Sequence, residues 1–285
     1  MLKTFEIPLG SAKQELPRLR GYILDPADNF CDLNDFTINR PRPAVVVMPG
    51  GGYDHFSPRE AEPIAIEYAA KGFQTFILYY SLLPVNFPKP LIDAALALKT
   101  IRERAREWNV DVNRIAVLGF SAGGHLAGAL STFWNGEFLK QQGFDPEMIR
   151  PNAAVLCYAA TGTGENEPNR EFAKRMLGDN INNPALAALT EIHKNVSPDN
   201  PPTFLWQTSN DPVVALDNSL MMAHALNKAG VQLEMHIFPD GPHGIGAANE
   251  LTASHIPDGR GIHKDAAKWV ALSIDWLKGV LKFKN

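Results

Sequence analysis

A chain of 285 residues that is 45% hydrophobic and 20% charged can bury a large core in one or two domains. Its 27 basic and 31 acidic residues are interspersed and sum to a net charge of −4, so no surface suited to a phosphate backbone, and no nucleic-acid partner, is expected. No stretch approaches the roughly 18 apolar residues of a membrane span, and Met1 to Pro8 lacks the apolar run of a signal peptide. The chain reads as cytoplasmic, with no membrane partner. Cys31 and Cys157 make no disulfide framework in a chain this long, and both are expected as free thiols.

Arg18 to Leu24 reads as an edge strand. Beyond about residue 40, strand-like and helix-like segments alternate, the pattern of a mostly parallel sheet with helices on both faces. The run from Ala44 to Met48 is continuously apolar, as a strand covered on both faces requires, and it ends in Pro49-Gly50-Gly51-Gly52. A helix over about 59 to 71 is expected to end at Gly72, before a strand from Gln74 to Tyr79. Leu91, Ala95, Leu98, Ile101, Ala105 and Trp108 then fall on one helical face, with Pro90 in the first turn. The next strands are Arg114 to Gly119 and Ala153 to Tyr158. Residues 160 to 202 break the alternation with glycines, asparagines and prolines, leaving only a short helical pattern near Glu171 to Leu177. A long irregular insertion in a compact domain is expected to be a lid or cap over a site, although a solvated excursion has the same composition. The alternation resumes with a strand from Thr203 to Gln207, an apolar stripe at Leu216, Leu220, Ala223 and Leu226, and a strand from Gln232 to Phe238. A last stripe at Ala267, Val270, Ile274, Leu277 and Leu281 completes one α/β domain over residues 1 to 285.

The segment Gly119-Phe120-Ser121-Ala122-Gly123-Gly124 follows a strand directly and opens a small-residue helix running to about Leu130. That is the context of a nucleophile elbow, in which a serine on a tight strand-to-helix turn presents its hydroxyl at the C-terminal sheet edge. The helix N-terminus behind it favours the negative charge that develops during attack. Gly50, Gly51 and Gly52 cost conformational entropy, which is explained if backbone amides must point unobstructed into a site. An oxyanion hole needs two such donors; the amide of Ala122 is one candidate and that of Gly51 or Gly52 the other. A small-residue turn and an ordinary glycine turn are the plainer readings of these two segments.

A triad also needs a carboxylate and a histidine, in the chain order Ser, Asp, His. Asp211 lies just past the strand ending at Gln207, and His243 just past the one ending at Phe238, among Gly241, Pro242 and Gly244. Both therefore sit on the same sheet edge as Ser121, where open α/β sheets build their sites. Asp217 rivals Asp211 but suits a helix cap. His125, one turn past Ser121, reads as packing or support; His55 could line the pocket. His255 and His263 follow no metal-ligand spacing, so neither a metal nor a cofactor is expected. Tyr53, Phe56 and Tyr80 stand near the mouth and could stack on a sugar ring or belong to the core.

Pro49-Gly50-Gly51-Gly52-Tyr53, Arg59-Glu60-Ala61-Glu62-Pro63, Tyr80-Ser81-Leu82, Gly119-Phe120-Ser121-Ala122-Gly123-Gly124-His125-Leu126 and Gly241-Pro242-His243-Gly244 stand in order from about residue 40 onward. Together they resemble the bacterial α/β-hydrolase esterases of the acetyl-esterase and feruloyl- or acetyl-xylan-esterase type. The resemblance implies an α/β-hydrolase fold, a triad at Ser121, Asp211 and His243, and oxyanion donors at Gly51 and Ala122. Related lipases and esterases often carry a histidine before the glycines, where Pro49 stands here. Hydrolysis of short acyl esters is the expected chemistry, with acetyl groups on a sugar or oligosaccharide as substrate; an amidase or peptidase using the same triad is the alternative. An inactive binding module should have lost a triad residue or a glycine, and none is lost. The expected partner is a small-molecule ester or acylated sugar, with homo-oligomerisation left open.

Overall fold

The computed structural model describes residues 2–10, 15–24, 40–163 and 169–283. Cys31 lies outside them; Cys157 is buried and free. Eight strands form one sheet: β1 (Leu2–Pro8), β2 (Arg18–Leu24), β3 (Arg42–Met48), β4 (Gln74–Tyr79), β5 (Val110–Phe120), β6 (Ala153–Cys157), β7 (Thr203–Thr208) and β8 (Leu233–Phe238). Their spatial order is β1-β2-β4-β3-β5-β6-β7-β8. The first two strands are antiparallel to their neighbours, and all pairs from β4 to β8 are parallel. The helices are α1 (Glu62–Ala69), α2 (Lys89–Glu103), α3 (Ser121–Phe133), α4 (Glu137–Gln141), α5 (Pro146–Ile149), α6 (Arg170–Leu177), α7 (Pro184–Ala188), α8 (Asp217–Lys228) and α9 (Lys268–Val280). This is the α/β-hydrolase architecture. Among the described residues no helix is long and apolar enough to cross a membrane.

The apolar run of β3 shows why the parallel strands were readable. Val46 and Met48 pack toward the layer of α2, α3 and α8, whereas Val45 and Val47 pack toward α1 and α9. All four are fully buried, so alternation has no polar phase, and each side chain contributes roughly 1.5–3 kcal/mol of transfer free energy. Under the sheet, Trp206 of β7 stacks on Trp269 of α9 with centroids 5.0 Å apart.

Two sequence readings are corrected. Arg18–Leu24 is a strand but not the edge, because β1 pairs outside it. The side chains of β1 are exposed or half-buried, and only Phe5 and Ile7 pack against the core, so the apolar pattern is short. Across that ladder Glu6 meets Arg18 at 3.0 Å and Arg20 at 2.7 Å. In α8 the stripe named above is rotated: Leu220 is exposed, and Asn218, Ser219, Met222 and Leu226 face inward. The two polar residues are tolerated inside because they are bonded, Ser219 Oγ donating to Gln207 Oε1 at 2.6 Å and Asn218 Oδ1 accepting from the Gly162 amide at 2.9 Å. Asp217 is the first residue of α8 and makes no side-chain capping bond, so its carboxylate only complements the helix dipole.

Candidate active site

Strand β5 ends at Phe120 and helix α3 begins at Ser121 with no intervening residue. The turn forces Ser121 to φ 51°, a left-handed conformation that costs a non-glycine residue about 1–3 kcal/mol. The flanking glycines explain how the chain tolerates it. A Cβ on Gly123 would collide with the carbonyl oxygens of Met48 and Pro49, and one on Gly119 with the carbonyl of Gly123. Both glycines are required by close backbone approach, which seats α3 against the end of β3. As the second residue of the helix, Ala122 has an amide without an intrahelical acceptor.

The loops after β7 and β8 bring in the other two side chains. His243 Nδ1 donates to Asp211 Oδ2 at 2.7 Å, and His243 Nε2 accepts from Ser121 Oγ at 2.8 Å. The Asp211 carboxylate is 1% exposed, and its second oxygen accepts from the amides of Val213 and Val214 at 2.8 and 3.0 Å. Independent bonds lace the two loops together. Thr208 Oγ1 donates to the Gly241 carbonyl at 2.6 Å, Gly241 N–H to Asn210 Oδ1 at 3.0 Å, and Ser209 Oγ to the Pro239 carbonyl at 2.9 Å.

The glycine loop after β3 passes directly over the elbow. Gly50 has no room for a Cβ, which would lie 2.8 Å from the Phe120 carbonyl and 3.0 Å from Ser121 Cβ. Its amide donates to Glu60 Oε2 at 2.8 Å. The next two amides, of Gly51 and Gly52, have no acceptor among the described residues. Gly51 and Gly52 adopt φ 127° and 63°, and the Gly52 carbonyl turns away to accept from Arg175 Nη2 of α6 at 2.8 Å. Gly51 and Gly52 line the same cavity as Ser121.

Tyr53 and Tyr80 are not at the mouth. They are 2% and 0% exposed, and their rings meet edge to face behind the glycine loop with centroids 5.4 Å apart. Burial is possible because each hydroxyl has a partner: Tyr80 donates to the Pro49 carbonyl at 2.6 Å and Tyr53 to His125 Nδ1 at 2.9 Å. Both brace the loop from within, so neither ring is available to stack on a ligand. His55, by contrast, lines the cavity and pairs with Asp54.

His125 is fully buried, and its Nε2 donates to the Thr190 carbonyl at 3.2 Å. Burial pushes its pKa down to about 4, the Thr190 carbonyl opposing only in part. The unfolded chain binds this proton near pH 6.5 and the native one only near pH 4. The group's full stability is therefore present above pH 6.5 and is lost as pH falls toward 4, a change of about 3 kcal/mol. His125→Gln is expected to flatten the fall of unfolding free energy between pH 6.5 and 4 in urea titrations; an unchanged slope would assign the acid sensitivity elsewhere.

A cavity of about 580 Å³ opens over the triad. Ser121, His243 and Glu60 form its floor, Val213 and Val214 one wall, and Asn169, Phe172 and Arg175, from the segment between β6 and β7, the other. Arg175 also pairs with Asp54 at 3.3 Å. Among the described residues no His, Cys, Asp and Glu side chains gather so as to hold a metal ion. The sequence left Glu60, Tyr158 and Arg175 without a role. Glu60 carried no distinguishing signal, being one of several charged residues in Arg59-Glu60-Ala61-Glu62 at the start of α1.

Comparison with known proteins agrees with this architecture. The BD-FAE family model matches residues 35–226. The chain is 31% identical to endo-1,4-beta-xylanase B of Butyrivibrio fibrisolvens over 73% of its length, and 28% identical to an acetylxylan esterase of Xylanibacter ruminicola over 71%. It spans only 33% and 41% of the length of those two relatives. Among solved structures, an acetyl ester-xyloside bifunctional hydrolase from Caldicellulosiruptor lactoaceticus superposes with a TM-score of 0.77 at 35% identity, covering 96% of this chain and 92% of that one. A carboxylesterase from Lactobacillus plantarum gives 0.82 at 26% identity, covering 98% of both. With two thirds of the chain under one family model and the elbow, glycine loop and histidine loop in their expected order, the chain belongs to the BD-FAE family of α/β-hydrolases.

Proposed function

We propose that the protein is a serine carboxylic-ester hydrolase that removes short acyl groups, acetyl above all, from a sugar or oligosaccharide. The observation that carries this reading is the imidazole of His243, held between Asp211 at 2.7 Å and Ser121 at 2.8 Å. Asp211 fixes the tautomer with hydrogen on Nδ1, which leaves Nε2 free to take the Ser121 proton as Oγ attacks the acyl carbon. The tetrahedral oxyanion is received by the amide of Ala122 and those of Gly51 and Gly52. The imidazolium returns the proton to the departing alcohol oxygen, leaving an acyl group on Ser121. Water, deprotonated by the same Nε2, then releases the carboxylate and restores the serine.

The sugar part of the reading is supported by the names of the relatives and by the polar groups at the mouth of the cavity, Asp54, His55, Asn169 and Arg175. The segment at 160–202, with α6 and α7, is read as the cap of a single domain. A fluorophosphonate probe is expected to label the protein. p-Nitrophenyl acetate and acetylated xylo-oligosaccharides are expected to exceed N-formyl amides and dipeptide anilides in kcat/KM. An unlabelled protein would remove the serine mechanism, and a preference for an amide would replace esterase by amidase.

A further inference from the structure

Glu60 is the one buried acid on the cavity floor that the mechanism above does not use. It is 2% exposed, in the turn before α1, and both of its oxygens are committed. Oε2 accepts from the Gly50 amide at 2.8 Å, in the loop that supplies the oxyanion donors. Oε1 accepts from the Tyr158 hydroxyl at 2.7 Å. That hydroxyl accepts in turn from the Gly246 amide at 3.1 Å, in the loop that carries His243, and the Tyr158 ring lies edge-on to the imidazole with centroids 5.0 Å apart. Tyr158 itself is held at φ 37°. One carboxyl group therefore joins two loops that are almost 200 residues apart in sequence and must be in register for catalysis.

A carboxylate suits this position because both of its bonded neighbours, the Gly50 amide and the Tyr158 hydroxyl, are donors. An ionised acid accepts on both oxygens, whereas a protonated acid or an amide would set hydrogen against a donor. Burial pulls its ionisation upward, while the Tyr158 bond, the nearby His243 and the Gly50 amide favour the charged form.

We infer that Glu60 is a positioning residue that couples the oxyanion loop to the histidine loop through its bonds to Gly50 and Tyr158. The inference rests on the esterase reading of the same site. His243 meets Asp211 through Nδ1, Ser121 through Nε2 and the edge of the Tyr158 ring. The other ionisable neighbours of Glu60 do not compete. Tyr80 and Cys157 are held neutral by burial, which raises both above their ordinary values. The cavity's arginines are already paired, Arg175 with Asp54 and Arg260 with Asp258.

The tether is tested by three variants assayed for kcat and KM with p-nitrophenyl acetate. Glu60→Gln removes the charge and sets a donor against a donor. Its kcat is expected to fall about 10–100-fold with KM changed little. Glu60→Asp and Tyr158→Phe break or stretch the tether, and both should lose kcat with KM changed little. A Glu60→Gln enzyme with wild-type kcat overturns the inference. If that variant does not fold in thermal unfolding, wild-type kcat in the other two does so instead. Fluorophosphonate labelling of the wild type separates the cases: an unlabelled wild type overturns the esterase reading, whereas a labelled, active one with indifferent variants overturns only the role of Glu60.

Discussion

Ser121→Ala is expected to lower kcat/KM for p-nitrophenyl acetate by about 10⁵-fold or more and to abolish fluorophosphonate labelling, because the hydroxyl bonded to His243 Nε2 is that of Ser121. What survives should be the modest acceleration that the oxyanion donors and binding supply. The substitution leaves the fold intact, since alanine occupies φ 51° with the same strain as serine. Thermal unfolding should therefore change little, and substrate or product should still bind. Ser121→Gly relieves that strain and is expected to unfold later than the alanine variant by about 1 kcal/mol. A Ser121→Ala enzyme within about tenfold of wild type would place the nucleophile elsewhere.

The second large effect is structural. Gly123→Ala puts a methyl group inside the carbonyl oxygens of Met48 and Pro49. Those atoms lie at the end of β3 and just past it, and the strand is pinned on both sides by parallel ladders to β4 and β5. Neither partner is the end of a flexible side chain, so the helix must back away from the sheet, and with it the elbow. A cost of about 3–5 kcal/mol is expected, a large share of the roughly 5–15 kcal/mol that holds a domain folded. Activity should fall further than stability, because a 1 Å displacement of Oγ from His243 ends productive proton transfer. Chemical denaturation and kcat measured together test this. Wild-type kcat in a stable Gly123→Ala protein would show that the helix can shift without moving the serine.

How much of this was legible depends on where each residue finds its partners. The parallel strands could be read because β3 and β6 and the second half of β5 are apolar and buried on both faces, and a run such as Val45-Val46-Val47 needs no phase. Ser121, Asp211 and His243 could be nominated because each follows a strand at its C-terminal end, so topology alone gathers them at one edge. β1 was hidden because only Phe5 and Ile7 of its seven residues pack against the core, too short a pattern to mark a strand, while Glu6 faces arginines on another strand. The face of α8 was misread because Asn218 and Ser219 are buried by hydrogen bonds to Gly162 and Gln207, contacts that no helical wheel contains. Tyr53 and Tyr80 read equally as ligand platform or core; their hydroxyl partners, His125 Nδ1 and the Pro49 carbonyl, decide for the core. Glu60 is the extreme case, an acid whose two donors come from residues 50 and 158.

The bonds that run between the Thr208–Asn210 and Pro239–Gly241 segments bypass the Asp211 carboxylate altogether. The histidine loop thus has a mooring of its own, and neutralising the acid should not set the ring adrift. In Asp211→Asn the side-chain oxygen can still accept from Val213 and Val214, while the amide nitrogen turns a hydrogen toward the imidazole. The ring then stays where it is but carries its hydrogen on the wrong nitrogen, facing the serine it should relieve of a proton. A deficit of about 10⁴-fold in kcat would accordingly come from tautomer alone, in an enzyme whose coordinates are unchanged.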